Sequence, residues 1–373
     1  MLQNRIISAF VLCLAVLFSI SACSSNEDGD KPSSSGRLLP QASLVPHEIL
    51  VVIDEDQWQG LLGQAIRDVF ARPMPGLPQS EAWFKLRQIK PSDLRGFLKR
   101  YPNIIFAFTL DNKSKSSEVL KTMFSTDALK TIQGNPDRYR MTKKDEFARG
   151  QEVLYLFGKT ETELIGRLYT QQEELLNYFN TIERNRYIKE FASVKINKVL
   201  RDQIAKKYDI SLKLPAGYEV AKQDDNFLWL RLLDQKVDKS MWLTWKPYKS
   251  KQDFAPDSIL AFRNEVVKNY VWGDDSTSYM RLEMREPIES DEVNFNGSYG
   301  VQVRGLWRLE KIIMGGPFVG LAFVDEARQR FYYLEGFTYA PGQDKKAAIS
   351  ELEAMLWSAK PTPVKTDSAA TKP

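Results

Sequence analysis

The sequence predicts an α+β protein: an N-terminal mixed sheet with packed helices, central long helices, and a C-terminal, mainly antiparallel α/β sandwich. Three observations carry this. Between residues 48 and 110, short β-branched apolar runs alternate with stretches of helical periodicity, in the order β-α-β-α-β. Between 161 and 208, apolar residues recur three, four and seven apart. After 209, strict alternation returns and is punctuated by Pro-Ala-Gly, Asn-Gly and Gly-Gly-Pro turns.

The chain opens with targeting rather than folding information. Arg5 precedes an apolar run over residues 6–20, and Ile20-Ser21-Ala22-Cys23 closes it with small residues and a cysteine. That is the layout of a lipoprotein signal peptide, residues 1–22, with Cys23 as the acylation site. The apolar run is shorter than the ~20 residues a spanning helix needs. Each buried CH₂ contributes about 0.8 kcal/mol of membrane affinity, so several acyl chains on one cysteine make a firm anchor. Residues 23–44, rich in Ser, Gly and Asp and without apolar period, read as a flexible tether.

The N-terminal α/β region is expected over 45–160. Ile49 to Ile53 is a continuous apolar run, hence a buried strand. Asp54 supplies N-cap chemistry for a helix carrying Trp58, Leu61, Leu62, Ile66, Val69 and Phe70. Pro73, Pro75 and Pro78 with Gly76 form a rigid loop. Strands follow at 84–89, 103–110 and 153–157, with one helix near 118–124. Central helices occupy 161–208. Thr160 and Glu163 form a capping box, and Leu164, Leu168, Leu175, Phe179 and Ile182 share a face. Unbroken to Phe191, about 31 residues would run ~46 Å.

The C-terminal region is expected over 209–358. Strands at 227–233 and 241–246 precede a helix opened by Pro256, with Ile259, Phe262, Val266 and Tyr270 on one side. Further strands centre on Leu282, Val303, Leu321 and Tyr333, and a last helix starts at Asp344. Residues 359–373 read as a disordered tail.

Composition excludes several chemistries. Cys13 leaves with the signal and Cys23 is acylated, so no disulfide, thiol nucleophile or cysteine-bound metal remains. His47 is the one histidine, which rules out a multi-histidine metal centre. Basic and acidic residues, 52 against 48, are interspersed, so nucleic acid is not an expected partner. No cofactor, metal site or catalytic residue is expected.

His47, with no Gly-x-Ser-x-Gly elbow anywhere, reads as a surface or strand-edge residue. Asp54, Glu55 and Asp56 between a strand and a helix read as capping. The loop at residues 274–278 lacks EF-hand spacing. The aromatic segment Trp242-Leu243-Thr244-Trp245-Lys246-Pro247-Tyr248 is the possible binding surface: Trp242, Thr244 and Lys246 share one strand face, with Tyr248 beyond. The plainer account has the following helix cover that face. The proline loop reads either as a recognition surface or as a route to the next strand.

Two resemblances rest on particular residues. Leu214-Pro215-Ala216-Gly217-Tyr218, a strand ending in a Pro-Gly-aromatic turn, resembles the opening of PsbP/Mog1-type α/β sandwiches. Trp58 to Phe70, Gly76-Leu77-Pro78-Gln79 with Phe84, Asn103-Ile104-Ile105 and that same turn resemble an uncharacterised family of Bacteroidota lipoproteins. This implies a lipid-anchored envelope protein and no assigned activity. Glu27, Asp28 and Asp30 likewise resemble the acidic tract some of those lipoproteins carry as a surface-export signal.

The expected function is therefore a non-enzymatic binding or assembly module at the outer membrane, with Ser24 after Cys23 compatible with that membrane. Its expected partners are the membrane, through Cys23, and another envelope protein or a glycan. The alternative is an envelope hydrolase using paired carboxylates. Cys23→Ala should abolish acylation and move the protein to the supernatant after a high-salt membrane wash. Persistent membrane association of that variant would refute the anchor.

Overall fold

The computed structural model describes residues 39–43, 45–194 and 197–364. The signal peptide, Cys23, residues 24–38 and residues 365–373 lie outside the described residues. In the N-terminal half the elements are β1 (Glu48–Val52), α1 (Glu55–Gln59), α2 (Leu61–Phe70), β2 (Lys85–Ile89), β3 (Asn103–Thr109), α3 (Lys115–Lys121), α4 (Thr126–Gly134), β4 (Arg140–Lys144), β5 (Glu152–Gly158), α5 (Glu161–Thr170), α6 (Gln172–Ser193) and α7 (Lys198–Tyr208). The sheet order is β2-β1-β3-β5-β4, parallel except for β4.

Burial on both faces explains the unbroken apolar strands. Val51, Ile105 and Leu154 pack on α2, α5 and α6 through Leu62, Ile66, Leu164 and Phe179. Val52, Phe106 and Tyr155 face the other way, against Leu120 of α3 and Ile132 of α4. Asp54 caps α1, accepting from the backbone N–H groups of Asp56 and Gln57. Thr160 accepts from Glu163 N at the start of α5, which is half of the expected capping box.

Two expectations need correction here, and one strand was not expected. The long helix is interrupted at Gln171, which leaves helical geometry (φ −117°, ψ 19°) so that α5 and α6 run as separate helices. The helix near 118–124 begins earlier, where Ser114 caps α3, and a second helix, α4, follows under Ser125. Strand β4 is polar and half-exposed because it pairs on one side only, so it lacks the apolar pattern by which strands are recognised.

In the C-terminal half the elements are β6 (Ile210–Ser211), β7 (Glu219–Gln223), β8 (Phe227–Leu232), β9 (Asp238–Pro247), α8 (Pro256–Tyr270), β10 (Met280–Leu282), β11 (Glu289–Phe295), β12 (Ser298–Leu309), β13 (Gly315–Asp325), β14 (Arg330–Tyr339), α9 (Lys346–Trp357) and β15 (Lys360–Pro361). The antiparallel order is β10-β12-β13-β14-β9-β8-β7, with β11 also on β12. Alternation along the strands divides two cores. Leu243, Leu321 and Leu334 face α9, whereas Trp242, Val303 and Tyr333 face α8.

The chain from Leu39 onward clusters as one compact unit. A single apolar core runs from the N-terminal sheet through Phe179 and Phe191 of α6 to Leu352 and Met355 of α9 and on to the C-terminal sheet. The folded body also reaches into both segments expected to be flexible. Ala42 is buried and Gln41 bridges to Arg149, so the tether region closes onto the body before residue 44. At the far end, β15 pairs with β6, and Arg328 donates to the Thr362 carbonyl.

The proline loop is an internal clamp. Met74 is buried, and Gly76 (φ +73°) sits so close to β12 that an added Cβ would stand 2.9 Å from Gly305 N. Glu81, from the end of that loop, accepts from Lys345 N (2.8 Å) and Lys346 N (3.0 Å) and so caps α9. Farther along α9, Glu353 bonds Arg304 of β12 (2.6 Å) and Arg184 of α6 (3.5 Å). Burial alone would raise the Glu353 pKa, but the two guanidinium groups outweigh it and hold the carboxyl below its ordinary range.

Removing that carboxylate would strand Arg304 in a dry site. Glu353→Ala should cost about 3–5 kcal/mol in urea unfolding. Glu173→Ala, which breaks an exposed pair with Arg72, should cost under about 1 kcal/mol. Equal losses from the two would show that the buried triad does not join the halves.

Candidate functional site

The helix-facing side of the C-terminal sheet is covered over only part of its length. A fully buried ion pair anchors the cover: Arg263 of α8 donates through Nε (2.9 Å) and Nη2 (2.8 Å) to Glu335 of β14. Trp242 Nε1 (3.3 Å) and the Tyr333 hydroxyl (2.9 Å) donate to the same carboxylate. Burial, and then the nearby Glu335 charge, push the Tyr333 pKa far up, so its hydroxyl stays a donor.

This network corrects the proposed aromatic surface. Trp242 is wholly buried beneath α8. Lys246 is half-buried, paired with Asp253 at 2.7 Å and lying over Phe262 and Phe331. It borders a small cavity of about 270 Å³ with Trp245, Phe262 and Tyr270. Tyr248 is half-buried and packs edge-on against Phe254. Alternation identified the face shared by Trp242 and Lys246 but could not show that a helix lies on it.

The same face reopens where α8 ends at Tyr270. Across the β8–β9 register, Trp229 pairs with Trp242 and Arg231 with Ser240. There the sheet floors a cleft of about 290 Å³ with Trp229, Trp307 and Phe337. The segment after α8 adds Val271 and Trp272, and the β12–β13 connection adds Ile312 and Met314. Gly273 lets these two segments meet, since an added Cβ would lie 2.7 Å from the Ile312 side chain.

The rings are held rigidly. Phe337 packs edge-on to Trp307 at 5.3 Å and tilted to Trp229 at 6.3 Å. Arg231 lies over Trp229 (5.3 Å) and Lys222 over Trp272 (3.7 Å). Among the described residues, the Nε1 donors of Trp229 and Trp307 have no acceptor. Asp238, Ser240 and Asp274 complete the polar lining. A second groove of about 740 Å³ shares Trp307, Leu309, Ile312, Met314 and Tyr339 with the first. It adds Arg285, Arg308 and Glu283, whose pKa is pushed down to about 2 by its hydrogen bond to Arg285.

The cleft tryptophans escaped sequence reasoning because they come from three separate segments. The one available signal was the alternation of Trp229 with Arg231 on the strand beside Trp242. His47 also departs from expectation. It is buried between Phe84 (5.9 Å) and Tyr187 (6.0 Å), in left-handed backbone geometry (φ 55°), with both ring nitrogens unpartnered among the described residues.

Comparison with known proteins divides the chain at the α6–α7 junction. Residues 42–192 match a domain of unknown function, DUF8532, and residues 197–358 match another, DUF4837. Among solved structures, a mutant of the protein Mog1 is similar over 41% of this chain and 91% of that one, at 11% identity and a TM-score of 0.26. Among curated proteins, none matches the sequence.

Burial lowers the His47 pKa from its ordinary 6.5; Glu183 and Glu353 oppose this, while Lys346 and Arg186 reinforce it. The unfolded chain therefore binds a proton before the folded one does, and stability falls as pH drops below about 6.5. The urea midpoint should show this step between neutral pH and the carboxylate range. His47→Asn, which tolerates the left-handed backbone, should abolish it. Parallel pH curves for the two proteins would overturn the assignment.

Proposed function

We propose that this protein is a non-enzymatic binding module of the cell envelope, anchored at the outer membrane by acylated Cys23. The observation that carries the reading is the paired groove built around Trp229, Trp272 and Trp307 on the uncovered part of the C-terminal sheet. Ligand sites are concave, mostly apolar and set with a few polar groups, and 300–1,000 Å³ is about their usual size. Glu283, held low by its arginine, is not poised as a glycosidase-type general acid. The N-terminal half supplies the supporting body, and the segment after Cys23 supplies reach from the bilayer.

The test is quantitative capture from solubilised envelopes by the full-length protein and by Trp229→Ala. Truncating a central interface tryptophan costs about 2 kcal/mol or more, about thirtyfold in affinity. The variant, shown to be folded by circular dichroism, should lose the captured species by that factor, and Trp229→Phe should keep part of the capture. Identical capture by both proteins, or chemical conversion of the captured species, would overturn the reading.

A further inference from the structure

We propose that the ligand of this cleft is a saccharide chain lying across both grooves, an inference that rests on the binding reading above. The lining decides the class. In the first groove Arg231 stands with Asp238 and Asp274; in the second, Arg285, Arg308 and Lys311 stand with Glu283 and Glu286. A polyanion or a polycation would meet like charge at either end. A neutral polyhydroxyl ligand meets none, because each hydroxyl both donates and accepts. Carboxylates accept hydrogen bonds from its hydroxyls, while Arg231, Ser240 and Arg285 supply donors.

The apolar share of the lining fits the same ligand. Trp229, Trp272 and Tyr339 are half-exposed rings; Arg231 and Phe337 fix Trp229, Lys222 fixes Trp272, and a sugar presents C–H faces to such surfaces. An acyl chain would take the cleft's charged groups out of water without offering them a hydrogen bond. Length follows from continuity. The two grooves share Trp307 and Tyr339, so a single sugar unit engages one groove and a chain can engage both.

The experiment uses the full-length protein in a polyoxyethylene detergent, since a maltoside headgroup is itself a sugar. An array of mono- to hexasaccharides of bacterial, plant and animal types is screened first. The best series is then titrated from one to six units by tryptophan fluorescence. Affinity should rise at least tenfold between one unit and the length that spans both grooves. Trp229→Ala and Trp272→Ala should each lose at least tenfold for every length, and Trp229→Phe should keep part of the binding. Arg285→Ala should weaken only the longer chains, and Phe97→Ala, exposed in the N-terminal half, should change nothing. No saccharide binding at millimolar concentration, or binding indifferent to Trp229, Trp272 and the conservative Phe, overturns the inference. If Trp229-dependent capture of an envelope protein or lipid persists without saccharide binding, the saccharide falls and the binding module stands. If nothing captured depends on Trp229, both fall.

Discussion

Glu353 is the residue on which the assembly of this molecule turns. It places a carboxylate on α9, a helix otherwise buried between α6 and the C-terminal sheet, and answers it with one arginine from each half of the chain. Taking three charges from water is expensive, and apolar residues of similar shape could supply as much stability. What a buried triad adds is register. Arg304 and Arg184 can both reach Glu353 only when α9 lies at one depth and one rotation between them. Trp83 under Arg304 (5.3 Å) and Trp357 under Arg184 (3.6 Å) narrow the choice further.

With α9 placed, the halves lock by means that neither possesses alone. Glu81 caps a helix whose sequence lies more than 260 residues away, and the Lys346 ammonium returns to the Ala82 carbonyl at 2.7 Å. The proline loop thereby acquires an internal role. Its conformational stiffness lowers the entropy lost when it docks, and Gly76 permits the approach to β12. Sheet, helix layer and second sheet share one core, although the family comparisons divide the chain into two domains.

On the opposite side of the C-terminal sheet, Arg263 and Glu335 do for α8 what Glu353 does for α9. Their bidentate contact sets where the helix lies and hence where it stops covering the sheet. The cleft is the remainder. Trp242 and Trp229 are cross-strand neighbours on the same face, yet one is sealed by α8 and the other borders open space. The difference between a core tryptophan and a candidate ligand contact is thus a matter of where one helix ends.

Local pattern alone specified the α+β class, the apolar strands β1, β3 and β5, the C-terminal strands β8, β9, β12, β13 and β14, and the caps at Asp54 and Thr160. These depend on periodicity and on side-chain-to-backbone bonds spanning two or three residues, which are visible locally. Long-range packing settles that Trp242 is buried, that His47 is a core residue, that the proline loop is a clamp and that β4 is a strand. Each of these depends on what a distant segment places over the residue or beside it. Alternation tells which side chains share a face; packing across the chain decides whether that face meets solvent, a helix or a ligand.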